Sequence, residues 1–189
     1  MLESGELMSL VCPARRQVLL GLSGVAVASM FSTPAQASRS TQGFRELSFY
    51  NRHTGEREQG QFWAEGEYNQ ETLSLFSKVL RDHRQNQSAP MDKRLYEFVY
   101  NLQQTIGNTD EVHVISGYRS PVTNNMLASK SNGVAKKSYH MKGMAMDLAI
   151  PGVELKTLRD AARSLELGGV GYYPRSGFIH VDCGPVRSW

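Results

Sequence analysis

Four side chains able to grip a divalent metal fall in two short stretches of this sequence. In "SYHMKGMAMD", residues 138–147, His140 precedes Asp147 by seven positions, with small and flexible residues between them. In "FIHVD", residues 178–182, His180 and Asp182 sit two apart in a strand-like run. His140, Asp147 and His180 offer two imidazoles and one carboxylate, a set that zinc favours, and three protein ligands leave a fourth position for water. A metal held this way supports hydrolysis, because it brings the pKa of water toward about 7. Asp182 shares a strand face with His180. Two roles are open to it: accepting the proton of the attacking water, or holding His180 in one tautomer.

A third stretch, "ISGYRS", carries Arg119 just after a strand and a glycine. An arginine there can clamp a substrate carboxylate or neutralise a developing oxyanion; without a substrate it is a surface ion-pair residue. Ser120 reads as a helix cap rather than a nucleophile, since no GxSxG elbow surrounds it. In "GGVGYYPRSG", residues 168–177, another strand follows the glycines, not a helix, so a phosphate-cradling loop is excluded. Close strand packing around a cleft accounts for the glycines. Tyr172 and Tyr173 are candidates to bind substrate in that cleft, with at least one of them expected in the core. Cys183 falls on the strand face opposite His180 and reads as a small buried hydrophobe.

Positioning these groups requires strands and the helices that support them. "ELSFYNRHTGEREQGQFW" reads as a β-hairpin turning at Gly55. Residues 69–86 carry a helical stripe of Leu73, Phe76 and Leu80, with Asn69 as cap. Residues 88–108 carry a second stripe, ending at Gly107. "EVHVIS" alternates as a strand, and Ser120-Pro121 opens a helix. "AMDLAI" places Met146, Leu148 and Ile150 opposite Asp147. A helix over 153–166 and the strands "GGVGYY" and "FIHVDC" complete the chain. These short strands interleaved with helices predict one α+β domain, an antiparallel sheet flanked by helices.

The 189 residues are 40% hydrophobic and 21% charged, with a formal charge of +3, too little to argue for a nucleic-acid partner. Residues 1–37 read as a signal peptide. Arg15 and Arg16 precede an apolar run from Val18 to Phe31, and Ala35-Gln36-Ala37 is a small-x-small site with the cut after Ala37. The run is too short for the roughly 20 residues that span a bilayer, so residues 38–189 form a mature domain without a transmembrane segment. The arginine pair points to the twin-arginine export route. Glu3 and Glu6 are odd in a basic leader and make Met8 an alternative start to Met1. Cleavage removes Cys12 and leaves Cys183 alone, so no internal disulfide staples the domain. Nothing in the sequence points to an oligomeric state.

"ISGYRS", "GVAKKSYHMKGMAMD" and "GGVGYYPRSGFIHVDCG" together resemble the zinc D-Ala-D-Ala metallopeptidase superfamily, whose fold is shared with the hedgehog signalling domain. The resemblance implies His140, Asp147 and His180 as zinc ligands and Arg119 as the arginine that follows the "SGYR" strand. It implies the peptide part of peptidoglycan as substrate, in the Gram-negative periplasm. Among the nearest members the bond cleaved joins two meso-diaminopimelate residues. One departure stands out. Many members carry an acidic general base three positions before the last zinc histidine, where this chain has Gly177. That glycine favours a rival reading, a non-catalytic zinc module that binds cell-wall peptide. A second rival is a carboxypeptidase that trims stem-peptide ends, with Arg119 gripping the terminal carboxylate.

Overall fold

The first described strand, β1 (Phe44–Asn51), buries Leu47 and Phe49 and turns back as β2 (Arg57–Ala64). A computed structural model describes residues 43–131 and 133–189; the expected leader and its cut after Ala37 lie outside them. The hairpin turn forms because the Asn51 side chain accepts from the N–H of His53 at 2.9 Å, while Gly55 takes a left-handed backbone, φ +74°. β3 (Glu67–Tyr68) pairs with the end of β2. α1 (Gln70–Val79) starts at Asn69, whose side chain accepts from Thr72 N–H. α2 (Lys93–Ile106) runs from Asp92 to a left-handed Gly107. β4 (Val112–Ser116) follows, then α3 (Pro121–Lys130), capped by the Ser120 hydroxyl. A short 3-10 turn, Tyr139–Lys142, leads into β5 (Ala145–Ala149). α4 (Leu155–Ser164), β6 (Gly169–Tyr173), β7 (Phe178–Asp182) and β8 (Arg187–Ser188) complete the described chain. Among the described residues no helix is long and apolar enough to cross a membrane.

One eight-stranded sheet results, in the order β3-β2-β1-β4-β5-β7-β6-β8. It is α+β as the sequence predicts, but mixed rather than antiparallel: β1 pairs with β4, and β6 with β8, in parallel. The connection between β1 and β4 passes through α1 and α2, and a helical crossover returns the chain in the same direction. α1 packs on β1 and β2, α2 on β1 and α4, and α4 on β6 and β7. Met146, Leu148, Val170, Ile179 and Val181 are all buried, on the face toward these helices. Each such side chain contributes about 1.5–3 kcal/mol relative to exposure. With the core on one face, the other face of β5, β6 and β7 can be polar, and it carries Asp147, His180 and Asp182.

The expected helix over 69–86 stops early, and the reason bears on the site. Past Val79 the chain turns, closed by a bridge between Asp82 and Gln87. The Asp82 carboxylate accepts from Arg84 N–H at 3.0 Å, a local bond that competes with helix continuation. Its other oxygen accepts from Ser120 N–H at 3.0 Å, and Leu80 C=O accepts from Tyr118 N–H at 2.7 Å. The segment bearing Arg119 is thereby clamped to the end of α1. Gly117 makes the clamp possible: a Cβ there would overlap the Leu80 carbonyl oxygen.

Burial raises the pKa of Asp82, but the hydrogen bonds from Ser120 and Arg84 outweigh it and hold the group down to about 2. Asp82→Ala should cost about 2 kcal/mol at pH 7, the penalty for orphaning a buried Ser120 N–H. A carboxylate with a depressed pKa stabilises above its unfolded value and loses that contribution as pH falls through its folded value. The deficit, read from urea unfolding, should therefore shrink between about pH 4 and about pH 2. A deficit independent of pH would contradict the clamp.

Candidate metal centre

Asp147 on β5 lies directly opposite His180 on β7, and small Ala145 and Ala149 flank it on the same face. His140 arrives from the 3-10 turn. Ser138 Oγ accepts from His140 N–H at 3.3 Å, and Gly143 closes the turn in a left-handed conformation, φ +66°. Gly143 C=O accepts from Asp92 N–H at 2.8 Å, so the residue that looks flexible in the sequence is pinned to the start of α2. The three groups meet. His180 Nδ1 lies 2.8 Å from Asp147 Oδ1, His140 Nε2 lies 3.3 Å from the same oxygen, and the two ring nitrogens are 3.2 Å apart. All three residues are buried.

The outer ring nitrogens fix the tautomers. His140 Nδ1 is 2.7 Å from Gly117 C=O. A carbonyl can only accept, so Nδ1 carries the hydrogen and Nε2 presents its lone pair inward. His180 Nε2 is 2.9 Å from Asp182 Oδ2, so Nε2–H donates to that carboxylate, and in the neutral ring Nδ1 then presents its lone pair inward. With His180 neutral, two lone pairs and an anionic oxygen converge with no donor among them, an arrangement that calls for a cation at its centre; without one, a proton on His180 Nδ1 takes that place and donates to Asp147. The donor set and the outer partners fit a divalent ion of the zinc type. The charges agree. Burial opposes ionisation of Asp147, yet His140 and His180 hold it well below the usual carboxylate range. Burial lowers His140. Burial also opposes protonation of His180, but its bonds to Asp147 and Asp182 push it up to about 9.

Arg119 borders the group. Its N–H donates to His140 C=O at 3.2 Å, and Nη2 lies 3.2 Å from Ser116 Oγ and 3.5 Å from Asp147 Oδ2. Nε is buried and has no partner among the described residues, so the guanidinium retains donor capacity. Burial lowers its pKa, partly offset by Asp147.

Above these groups opens a cleft of about 540 Å³, lined among others by Arg119, Lys137, Tyr139, Tyr173, Arg187 and Trp189. Tyr173 stacks on Phe178 at 4.8 Å between ring centroids. The expectation for Tyr172 is corrected. It pairs with Ile179, so it points to the helix side of the sheet, under Arg159 at 4.6 Å, and does not line the cleft. Cys183 is a buried thiol raised to about 12 by burial, packed in the core and not among the three converging groups.

Asp182 has no exposed surface, and both oxygens are occupied. Oδ1 accepts from Gly184 N–H at 2.8 Å and Arg187 Nη1 at 3.0 Å; Oδ2 accepts from Arg187 Nη2 at 2.7 Å and His180 Nε2. Of its two expected roles, this geometry suits holding His180 and leaves no oxygen facing the cleft. Gly177 sits in the "PRSG" turn at φ +73°, where an acidic side chain would be strained. Asp147 is the sole carboxylate side chain among the described cleft-lining residues.

Sequence reading missed Asp82, the Gly117 carbonyl, Arg187 and Trp189. Asp82 looks like any acid on a helix surface, and a backbone carbonyl leaves no trace in residue types. Arg187 and Trp189 lie close after "FIHVDC" and could have been found by asking what pairs with Asp182.

Comparisons with known proteins bear on this geometry. The family described as peptidoglycan L,D-endopeptidase MepK matches residues 39–189. The peptidoglycan L,D-endopeptidase MepK of Escherichia coli (strain K12) is 48% identical over 177 residues, spanning 93% of this chain and 97% of that protein. The probable peptidoglycan L,D-endopeptidase MepK of Haemophilus influenzae is 45% identical over 172 residues, spanning 90% and 92%.

If the three acceptors hold a metal, adding Zn²⁺ to chelator-stripped protein should raise its Tm. At a hundredfold excess over Kd the gain is about 2.7 kcal/mol. Asp147→Ala should abolish the gain. A Tm indifferent to zinc in the unaltered chain would contradict a metal site.

Proposed function

We propose, from the premise that this chain belongs to the peptidoglycan L,D-endopeptidase MepK family of metallopeptidases, that it uses one zinc ion to hydrolyse the cross-link between two meso-diaminopimelate residues of peptidoglycan. The observation that carries the reading is the convergence of His140 Nε2, His180 Nδ1 and Asp147 Oδ1 beside Arg119 at the base of a cleft. Zinc, when bound, supplies a Lewis acid and activates water at neutral pH. His140 and His180 stay neutral toward it because Gly117 C=O and Asp182 retain their outer N–H hydrogens. Asp147 contributes the negative charge. Arg119 stabilises the oxygen of the scissile carbonyl as charge develops there. Asp182 acts through His180, fixing its tautomer, and is not the proton acceptor.

The cleft lining supports an anionic peptide: Arg119 and Lys137 face a single carboxylate side chain, Asp147, while Arg187 is already paired with Asp182. Cross-link peptides carry free carboxylates that such cations attract. Tyr173, stacked on Phe178, offers an aromatic wall for the peptide. Residues 1–37 serve as an export signal, cut after Ala37, that delivers domain 38–189 to the periplasm, where this substrate lies. The "RR" pair and the small-x-small site support that route, as does the family match over residues 39–189. On the family resemblance, the sheet and its helices belong to the fold shared with the hedgehog signalling domain.

A digest of purified peptidoglycan, with product masses, tests the reaction. Separated stem peptides are the expected products; a released free amino acid indicates a carboxypeptidase, and an unchanged polymer contradicts the reading. Arg119→Ala should lower kcat on the order of a hundredfold, about 3 kcal/mol, with zinc content unchanged. Wild-type turnover in that variant would remove Arg119 from the mechanism.

A further inference from the structure

The segment after β7 wraps back over the metal centre. The chain leaves Asp182, turns through Gly184 and Pro185, and crosses to the far side of β6 as β8. Arg187 lies beside Gly169, and Trp189 is held by two backbone bonds, its N–H to Val170 C=O at 3.2 Å and its C=O from Tyr172 N–H at 3.0 Å. From this strand both side chains turn inward. The Arg187 guanidinium meets both oxygens of Asp182 in a two-pronged pair, at 3.0 and 2.7 Å. The Trp189 ring packs on His180, 5.3 Å between centroids, and its Nε1–H donates to Tyr173 Oη at 2.8 Å. Arg187 also lies over the rings of Tyr139 and Trp189, at 5.3 and 4.9 Å.

The glycines of "GGVGYY" make this possible. A Cβ on Gly169 would collide with the Arg187 guanidinium and with Asp182 Oδ2, and one on Gly171 would press into the Trp189 and Tyr173 rings. The strand face that looks in sequence like a loose glycine run is the bed on which Arg187 and Trp189 lie.

We propose that β8 completes the metal centre, with Arg187 as a positioning residue that fixes His180 through Asp182 and Trp189 as the contact that fixes the plane of the His180 ring. The inference rests on the zinc reading above. A carboxylate held only by His180 and one backbone N–H could rotate, and the ring with it. The two-pronged guanidinium pair allows one orientation, the one that keeps Nε2–H engaged and Nδ1 directed at the ion. Arg187 touches neither metal nor scissile bond; its effect passes through two intervening groups. Lysine cannot replace it fully, because a point charge makes one of the two bonds and lacks the planar fork.

Zinc affinity, measured by competition with a chromophoric chelator, and the visible spectrum of the Co²⁺-loaded protein test the proposal in the full chain. Arg187→Ala should weaken Zn²⁺ binding about 10- to 100-fold and alter the cobalt spectrum, and Arg187→Lys should recover part of the loss. Gly169→Ala, whose Cβ would press on both the Arg187 guanidinium and Asp182 Oδ2, should also weaken binding. Trp189→Ala should change the cobalt spectrum. If Arg187→Ala does not fold, Arg187→Lys decides. Folded Arg187 variants that bind zinc within about twofold of the unaltered chain, with the same cobalt spectrum, overturn the proposal, even if the metal-free protein melts lower. Failure of the unaltered chain to bind zinc would instead overturn the reading on which it rests.

Discussion

Two imidazole lone pairs and a carboxylate oxygen point at one another across about 3 Å inside a buried pocket, and each is kept there by a bond on its far side. Acceptors gather this way only around something positive, a bound cation or, without one, a proton on His180. Gly117 C=O dictates where the His140 hydrogen resides, and Asp182 dictates the same for His180. Neither imidazole, while neutral, can therefore turn its N–H inward to relieve the repulsion without breaking a buried hydrogen bond at its other nitrogen. Much of the surrounding structure serves this constraint. The end of α1 clamps the segment that supplies Gly117, the capped 3-10 turn delivers His140, and the pairing of β5 with β7 sets Asp147 against His180.

The division of labour between the two sheet faces explains how a domain of this size can carry a charged site. Apolar residues of β5, β6 and β7 face α4 and its neighbours and supply the cohesion. The opposite face is then free to hold buried polar groups, provided each finds a partner. Most do: Asp182 uses both oxygens, and Ser138, Ser120 and Asp82 all cap backbone N–H groups. The Nε of Arg119 is an exception, and it lies beside the cleft where substrate charge would be met.

The candidate metal ligands were legible in the sequence because their spacing carries geometry. Strand alternation alone puts His180 and Asp182 on one face and Cys183 on the other, and it puts Asp147 opposite Met146 and Leu148. Helix caps at Asn69 and Ser120 were legible for the same local reason. What alternation cannot give is direction across the sheet. The parallel pairings β1–β4 and β6–β8 depend on how far the chain travels between strands, and β8 has only two residues. Register also decided between the tyrosines: Tyr173 opposite Phe178 faces the cleft, and Tyr172 opposite Ile179 does not. The early end of α1 was hidden because Asp82 bonds to a residue 38 positions away, beyond any periodic signal.

X-ray absorption at the zinc edge of the loaded protein reads the ligands without reference to turnover. Two imidazole nitrogens and a carboxylate oxygen at about 2.0–2.1 Å, in a four-coordinate shell, are the expected result. A sulfur neighbour near about 2.3 Å, or a shell of water oxygens alone, would mean that His140, Asp147 and His180 do not hold the ion.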